Sequence, residues 1–298
     1  MTKQTDAMAR AAVIQFAPEW KAARHNLDHS LELIGQAAGQ GAQLAVLPEC
    51  CLTGYAFPDR QELHALAEPM DGPAIGAWQD MSRDRNIWLV AGIAERQGDA
   101  LYNSAILIGP DGQRSLYRKV HLWGQENDLY TPGSRLVAFP TQTPLGTIGL
   151  AICYDLWFPE LVRNLALAGS TLIAAPANWS RNAKTPTGHD RLGLPLGYQI
   201  SAAAACSNEL SVLSADRIGE ESGTRFLGSS CMFGPNGREL VPPASASGQE
   251  ILVADLPDVP AYRSHGHSHL RARRPRVYGA AVLDSCLEDF PEDNPETC

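Results

Sequence analysis

Two hydrophobic periods alternate along the chain. Short runs with little polar interruption, AAVIQFAP (11–18) and AQLAVLPE (42–49), reach a proline at or near their ends and read as strands buried on both faces. Between them Leu27, Leu31, Ile34 and Ala38 recur at helical spacing, which predicts an amphipathic helix stopped by Gly41. The same signals return downstream as a helix over 75–86 and a buried strand over 87–95. Residues 103–120 read as a hairpin: two strand-like runs flank Pro110-Asp111-Gly112, a turn whose glycine tolerates positive φ.

The second half repeats the alternation. A strand over 145–155 (LGTIGLAICYD) precedes a helix with Pro159 at its first position and Gly169 past its end, and a strand follows over 170–179. A further helix is predicted over 197–208, then strands near 209–216, 228–237 and 250–256. Strands outnumber helices, and helices and hairpins are mixed. This is the pattern of an α/β protein with mixed sheets and helices outside them. No linker or internal repeat divides the chain, so residues 1–283 read as one domain and 284–298 as an acidic tail. Before the tail, residues 262–278 are basic and His-rich.

Composition narrows the function classes. Of 298 residues, 44% are apolar and 19% charged, which suffices for a buried core and excludes disorder over most of the chain. Lys and Arg number 24 against 33 Asp and Glu, a net charge of −9 that repels phosphate backbones and anionic lipid. Nucleic acid and membrane surfaces are therefore excluded as expected partners. No apolar run approaches the ~20 residues of a membrane span, and MTKQTDAMAR lacks the apolar run of a signal peptide. The seven cysteines are odd in number and follow no CxxC spacing, which argues against both a zinc site and a disulfide framework. The expectation is a cytoplasmic protein.

Three residues stand where strand-like runs close. Cys153 ends a run of small and apolar residues just before the helix at Pro159, a strand-to-helix turn that exposes a side chain at the sheet rim beside backbone N–H groups. Position alone leaves open whether Cys153 is a nucleophile or a packing thiol. A thiol near its ordinary pKa of ~8.5 needs a base or a cation to act. Glu49 closes AQLAVLPE, Lys119 follows SLYR, and His121 lies two residues beyond. Singly, each reads as an ordinary loop or surface residue. Together, an acid, a cation and a thiol each close a core strand, and adjacent strands of one sheet end on one rim.

In their contexts, Leu47-Pro48-Glu49, Tyr117-Arg118-Lys119-Val120-His121 and Cys153-Tyr154-Asp155, these residues resemble the motifs of the nitrilase superfamily of carbon–nitrogen hydrolases. VIQFAP (13–18), FPE (158–160), PANW (176–179) and RRPRVY (273–278) extend the resemblance through nearly the whole chain. It implies a four-layer α-β-β-α sandwich and a Glu-Lys-Cys triad of Glu49, Lys119 and Cys153. It also implies a second glutamate six residues before the proline of a Thr-Pro-Gly turn, here Glu126 before Pro132. In that scheme Glu49 takes the Cys153 proton, and Lys119 with the Tyr154 backbone N–H holds the oxyanion. Glu126 orients Lys119 and substrate, His121 only packs or hydrogen bonds, and no cofactor or metal is required. Asp155 reads as a cap for the helix at Pro159.

The branch is less sharply marked. Cys-Tyr-Asp resembles amidases and carbamoyl hydrolases, whereas nitrile-cleaving members usually carry Cys-Trp-Glu. A small amide is thus the expected substrate, with water, and a nitrile or N-carbamoyl compound is the alternative. A family-like site that has lost its activity, on a binding or assembly protein, is the non-enzymatic one. Trp123, Tyr154 and Trp179 are candidates to line the pocket, and Arg181 or Arg191 to hold a substrate carboxylate. His265, His267 and His269 alternate as on one strand face, yet the triad needs no metal. Cys50 and Cys51 are packing thiols or redox liabilities. The resemblance further implies a homodimer or larger homo-oligomer.

Overall fold

The protein is described here by a computed structural model covering residues 9–134, 140–181, 193–265 and 268–275. The chain opens with β1 (Arg10–Gln15), α1 (Ala23–Gly39), β2 (Leu44–Val46), α2 (Arg60–Leu66) and α3 (Pro73–Arg85). It continues with β3 (Trp88–Gln97), β4 (Ala100–Ile108), β5 (Arg114–Arg118) and the single turn α4 (Glu126–Leu129). Next come β6 (Thr141–Thr143), β7 (Gly146–Leu150), α5 (Pro159–Leu167), β8 (Leu172–Pro176) and β9 (Ser180–Arg181). α6 (Leu196–Asn208), β10 (Ser211–Ala215), β11 (Glu220–Glu221), β12 (Thr224–Phe226), β13 (Cys231–Phe233), β14 (Glu250–Asp255) and α7 (Val259–Ser264) complete it. Among the described residues, no helix is long and apolar enough to cross a membrane.

Two sheets carry the fold. One has the order β14-β1-β2-β3-β4-β5 and the other β13-β10-β8-β7-β6. Each has parallel strands at its centre and antiparallel partners at its edges. Side chains alternate across a strand, and in β1 both halves of the alternation are buried. Ala11 and Val13 join the cluster that includes Leu150, Ala174 and Val212 of the opposite sheet, while Ala12 and Ile14 join Leu33, Ile34 and Trp78 of α1 and α3. α5 and α6 cover the other sheet through Leu161, Leu165 and Ala205. The layers are α-β-β-α, as the resemblance implies. Burial on both faces is why these strands read as continuous apolar runs rather than alternating ones.

The predicted helices and strands are present, but several strands are shorter than expected: the one over 145–155 ends at Leu150, with Cys153–Trp157 in a 3₁₀ turn, and the one near 228–237 covers only Cys231–Phe233. Pro159 occupies the first turn of α5, and Gly169 lies past its end with φ of 104°. The His-rich stretch departs from its expectation. His265 follows α7, which Asp258 caps by accepting from Ala261 N–H, and among the described residues neither His265 nor His269 lies in a strand. His267 and the tail 284–298 lie outside the described residues.

Past the end of β2 the chain continues along β3. Leu47 N–H bonds Val90 O at 2.8 Å, Gly92 N–H bonds Pro48 O at 3.2 Å, and Cys51 N–H bonds Gly92 O at 3.0 Å. Only glycine permits this approach: a Cβ at Gly92 would fall 2.5 Å from Glu49 Cα and 2.7 Å from Pro48 O. Gly92→Ala should therefore lower stability by about 1–3 kcal/mol or more, because backbone atoms must move to admit it. Gly76→Ala, in the α3 interior with nothing within 4 Å of the new methyl, should be neutral or slightly stabilising. Paired urea titrations check this contrast, and equal midpoints for the two variants would contradict it.

Candidate active site

Three chain segments meet at one end of the two facing sheets. Glu49 lies three residues past β2, and Lys119 follows β5 directly. β5 is antiparallel to β4 and β4 to β3, so β5 runs the same way as β2 and both end on one rim. Cys153 arrives from the other sheet, three residues past β7, at the start of a 3₁₀ turn over Cys153–Trp157. This corrects the expectation of adjacent strands in one sheet. β3 and β4 separate the first two residues, and the thiol comes from the facing sheet. The charges of Glu49, Lys119 and Glu126 all act on the Cys153 thiol.

The Cys153 backbone sits in the left-handed region, with φ of 45°. A non-glycine residue stays there only when its surroundings hold it. Asp155 supplies the hold. Its Oδ2 accepts from Ile152 N–H at 3.0 Å and Tyr117 OH at 2.7 Å, and its Oδ1 accepts from His121 N–H at 3.1 Å. His121 Nδ1 lies 2.8 Å from the same Oδ1, and its ring stacks on Phe158 with centroids 3.5 Å apart. Asp155 is thus structural, as expected, but it braces the turn before α5 instead of capping α5. His121 hydrogen bonds and packs.

Lys119 Nζ lies 2.7 Å from Glu49 Oε1 and 2.8 Å from Glu126 Oε1, and all three side chains are buried. Asn103 Nδ2 also donates to Glu49 Oε1, at 2.6 Å. Tyr55 OH donates to Glu126 Oε1 at 2.6 Å, and Trp123 N–H to Glu126 Oε2 at 3.0 Å. Glu49 Oε2 has no hydrogen-bond partner among the described residues. Burial pushes Glu49 up to about 7, with Lys119 opposing the rise, Glu126 adding to it and Asn103 opposing it. Burial pulls the Lys119 ammonium down, but the Glu126 and Glu49 carboxylates outweigh it and hold the group above its ordinary range. Burial and then Glu49 push the Cys153 thiol up, against Lys119 and the Asn178 backbone. The resting thiol is therefore protonated, and within reach of its charge lies a carboxylate with one unpartnered oxygen and a pKa pushed up to about 7. Such a pair can generate a nucleophile at neutral pH.

Around this centre Tyr154 is half-buried, with its ring 4.7 Å from exposed Trp123 and 5.1 Å from Phe158. Trp179 is buried and packs on Gly197 of α6; its backbone N–H donates to Asp216 Oδ1 at 2.7 Å, and its indole Nε1 has no hydrogen-bond partner among the described residues. Arg181 lies on β9, half-buried and paired with β12, and Arg191 lies outside the described residues. Cys50 and Cys51 are both buried, and Cys50 Sγ is 3.5 Å from Tyr130 OH. Two polar side chains at the centre, Asn103 and Tyr55, were missed by the sequence reading. Asn103 had a signal: it opens the predicted hairpin that Lys119 nearly closes, and the β4–β5 register of Ser104 with Arg118 sets it opposite Lys119. Tyr55 had none.

A sequence profile of the carbon–nitrogen hydrolase family matches residues 10–263. The chain is 36% identical over 252 residues to a protein of Pyrococcus abyssi described as a nitrilase, covering 84% of this chain and 90% of that one. It is 32% identical over 257 residues to an (R)-stereoselective amidase of a Pseudomonas species, covering 86% and 88%. Among solved structures, an amidase of Nesterenkonia sp. AN1 superposes with a TM-score of 0.73 at 26% identity, covering 91% of this chain and 98% of that one. That structure is of a glutamate-to-glutamine mutant of the amidase and shows the result of Michael addition of acrylamide at its active-site cysteine.

The buried charge balance makes a prediction of its own. Lys119→Met leaves two buried carboxylates without their cation, a loss of about 3–5 kcal/mol. A carboxyl whose folded pKa is raised, as Glu49 is from 4.5 to about 7, binds its proton more tightly when folded. It gains stability as pH falls through that window, and loss of Lys119 raises it further. The stability deficit of Lys119→Met should accordingly be larger at pH 8 than at pH 5, as read by urea unfolding at both. A deficit that grows on acidification would contradict this charge assignment.

Proposed function

Because the chain belongs to the carbon–nitrogen hydrolase family, we propose that this hydrolase cleaves a small carboxamide through a thioester on Cys153. One observation carries the reading most: Glu49 is braced at one oxygen by Lys119 and Asn103, its other oxygen is open, and its pKa is raised to about 7. In the proposed sequence Glu49 accepts the thiol proton as sulfur attacks the carbonyl carbon. The Lys119 ammonium and the Tyr154 backbone N–H take the developing oxyanion. The C–N bond then breaks, Glu49 returns its proton to nitrogen, and ammonia leaves. Glu49 next removes a proton from water, which attacks the thioester and releases the carboxylic acid with the thiol restored. One carboxylate acts as base, acid and base again, a task suited to a pKa near the working pH. Glu126 holds Lys119 in place throughout.

Nitrile hydrolysis on the same triad is the second reading, favoured by the description of the Pyrococcus abyssi relative. The Cys153-Tyr154-Asp155 motif favours amides. Ammonia release from a panel of amides, nitriles and N-carbamoyl compounds discriminates between them.

On the best substrate, Cys153→Ala should lose turnover by at least about 10³-fold while keeping its unfolding midpoint. In the parent protein kcat/KM should fall on the acid side with an apparent pKa near 7, since only ionised Glu49 can take the thiol proton. Full activity of Cys153→Ala, or an acid limb at an ordinary carboxylate value, would end this mechanism.

A further inference from the structure

The site rests on a support that begins far from it in the chain. Arg217 and Glu221 form a buried ion pair at the β11–β12 hairpin. Arg217 is itself anchored: Nη2 donates to Pro18 O at 3.0 Å, and the guanidinium lies 4.0 Å from the Phe226 ring centroid. The second oxygen of Glu221, Oε2, accepts the backbone N–H groups of Tyr55 at 2.8 Å and Ala56 at 3.0 Å. Gly54 permits this approach, since a Cβ there would fall 2.7 Å from Glu221 Oε1, and its φ is 80°. The Tyr55 ring is fixed edge-on to Phe226, with centroids 6.0 Å apart. Its hydroxyl ends on Glu126 Oε1, the atom that also receives Lys119.

We infer that Tyr55, held by the Arg217–Glu221 pair, is a positioning residue that governs how Lys119 is divided between Glu126 and Glu49. The inference rests on the mechanism proposed above. With the hydroxyl in place, Glu126 Oε1 has two donors and leaves part of the ammonium to Glu49. Without it, Glu126 is less neutralised and draws Lys119 toward itself. Glu49 then loses a donor and faces a stronger negative neighbour, and both changes make it harder to ionise. Besides Lys119, Glu126 and Cys153, the ionisable groups that feel Glu49 are Cys50, Tyr55, Tyr130 and Asp216. Burial pushes all four upward and keeps the thiol and the two phenols neutral near pH 7, so none of those three compensates for the loss.

The test compares Tyr55→Phe and Glu221→Gln with the parent protein in two pH profiles. One is kcat/KM on the best substrate of the panel. The other is the rate of Cys153 alkylation by iodoacetamide, which needs no substrate. Both acid limbs should move up by about half a pH unit or more, a roughly threefold loss at fixed acidic pH, with kcat falling and KM nearly unchanged. Tyr55→Phe keeps the ring and is expected to retain the fold, so it decides the matter even if Glu221→Gln unfolds. Limbs that coincide with the parent's in both profiles overturn the inference and leave the mechanism standing. A parent protein alkylated at Cys153 but inert on the whole panel would instead count against the proposed reaction.

Discussion

One ammonium held between two carboxylates is the constraint on which the rest of the site depends. Lys119, Glu49 and Glu126 are all buried, in surroundings where an unpaired charge is costly. None of the three is tolerable alone. The lysine needs an acid to remain charged, and each acid needs the lysine to remain an acceptor. The hydrogen bonds from Asn103, Tyr55 and the Trp123 backbone fill most of the remaining lone pairs. One oxygen of Glu49 is left over, and that oxygen is where the chemistry can start.

The architecture explains how so much charge comes to be buried at one spot. Both sheets are covered by helices on their outer faces and by each other on their inner faces, and beside Glu49 and Glu126 a further buried cluster of Cys50, Phe57, Leu63, Leu129 and Tyr130 keeps water from the strand ends. Glu49 and Lys119 come from one sheet and Cys153 from the other. From the facing sheet the Cys153 thiol thus feels the charges of Glu49, Lys119 and Glu126. The hairpin of β4 and β5 contributes Asn103 and Lys119 as one unit, joined by the Lys119 N–H bond to Asn103 O at 2.8 Å.

The parts legible in the sequence were those carried by short-range physics. Leu27, Leu31, Ile34 and Ala38 marked α1, and Pro159 with Gly169 bracketed α5. The Pro110-Asp111-Gly112 turn announced the β4–β5 hairpin. Glu49, Lys119, Cys153 and Glu126 were legible as candidates because their neighbours resemble known motifs. Two sheets were expected from the resemblance, but which strand joins which sheet was not legible, since a strand buried on both faces has the same apolar pattern in either one. α4, at four residues, is too short to show a helical period, so Glu126 read as part of a loop. Glu221 and Tyr55 are 166 residues apart, and no local signal joins them.

The two acids and one ammonium beneath Cys153 also bear on how a turnover ends. On the reaction proposed above, an amide enters uncharged and feels the buried charges only weakly. In that reaction the acid it becomes ionises at neutral pH, and its carboxylate then faces Glu49 and Glu126 as well as the Lys119 ammonium they share. Binding is thereby made asymmetric between reactant and product. On that reading the same two carboxylates that ready the nucleophile weaken the hold of the cleft on its own product, and the ammonium between them moderates the effect.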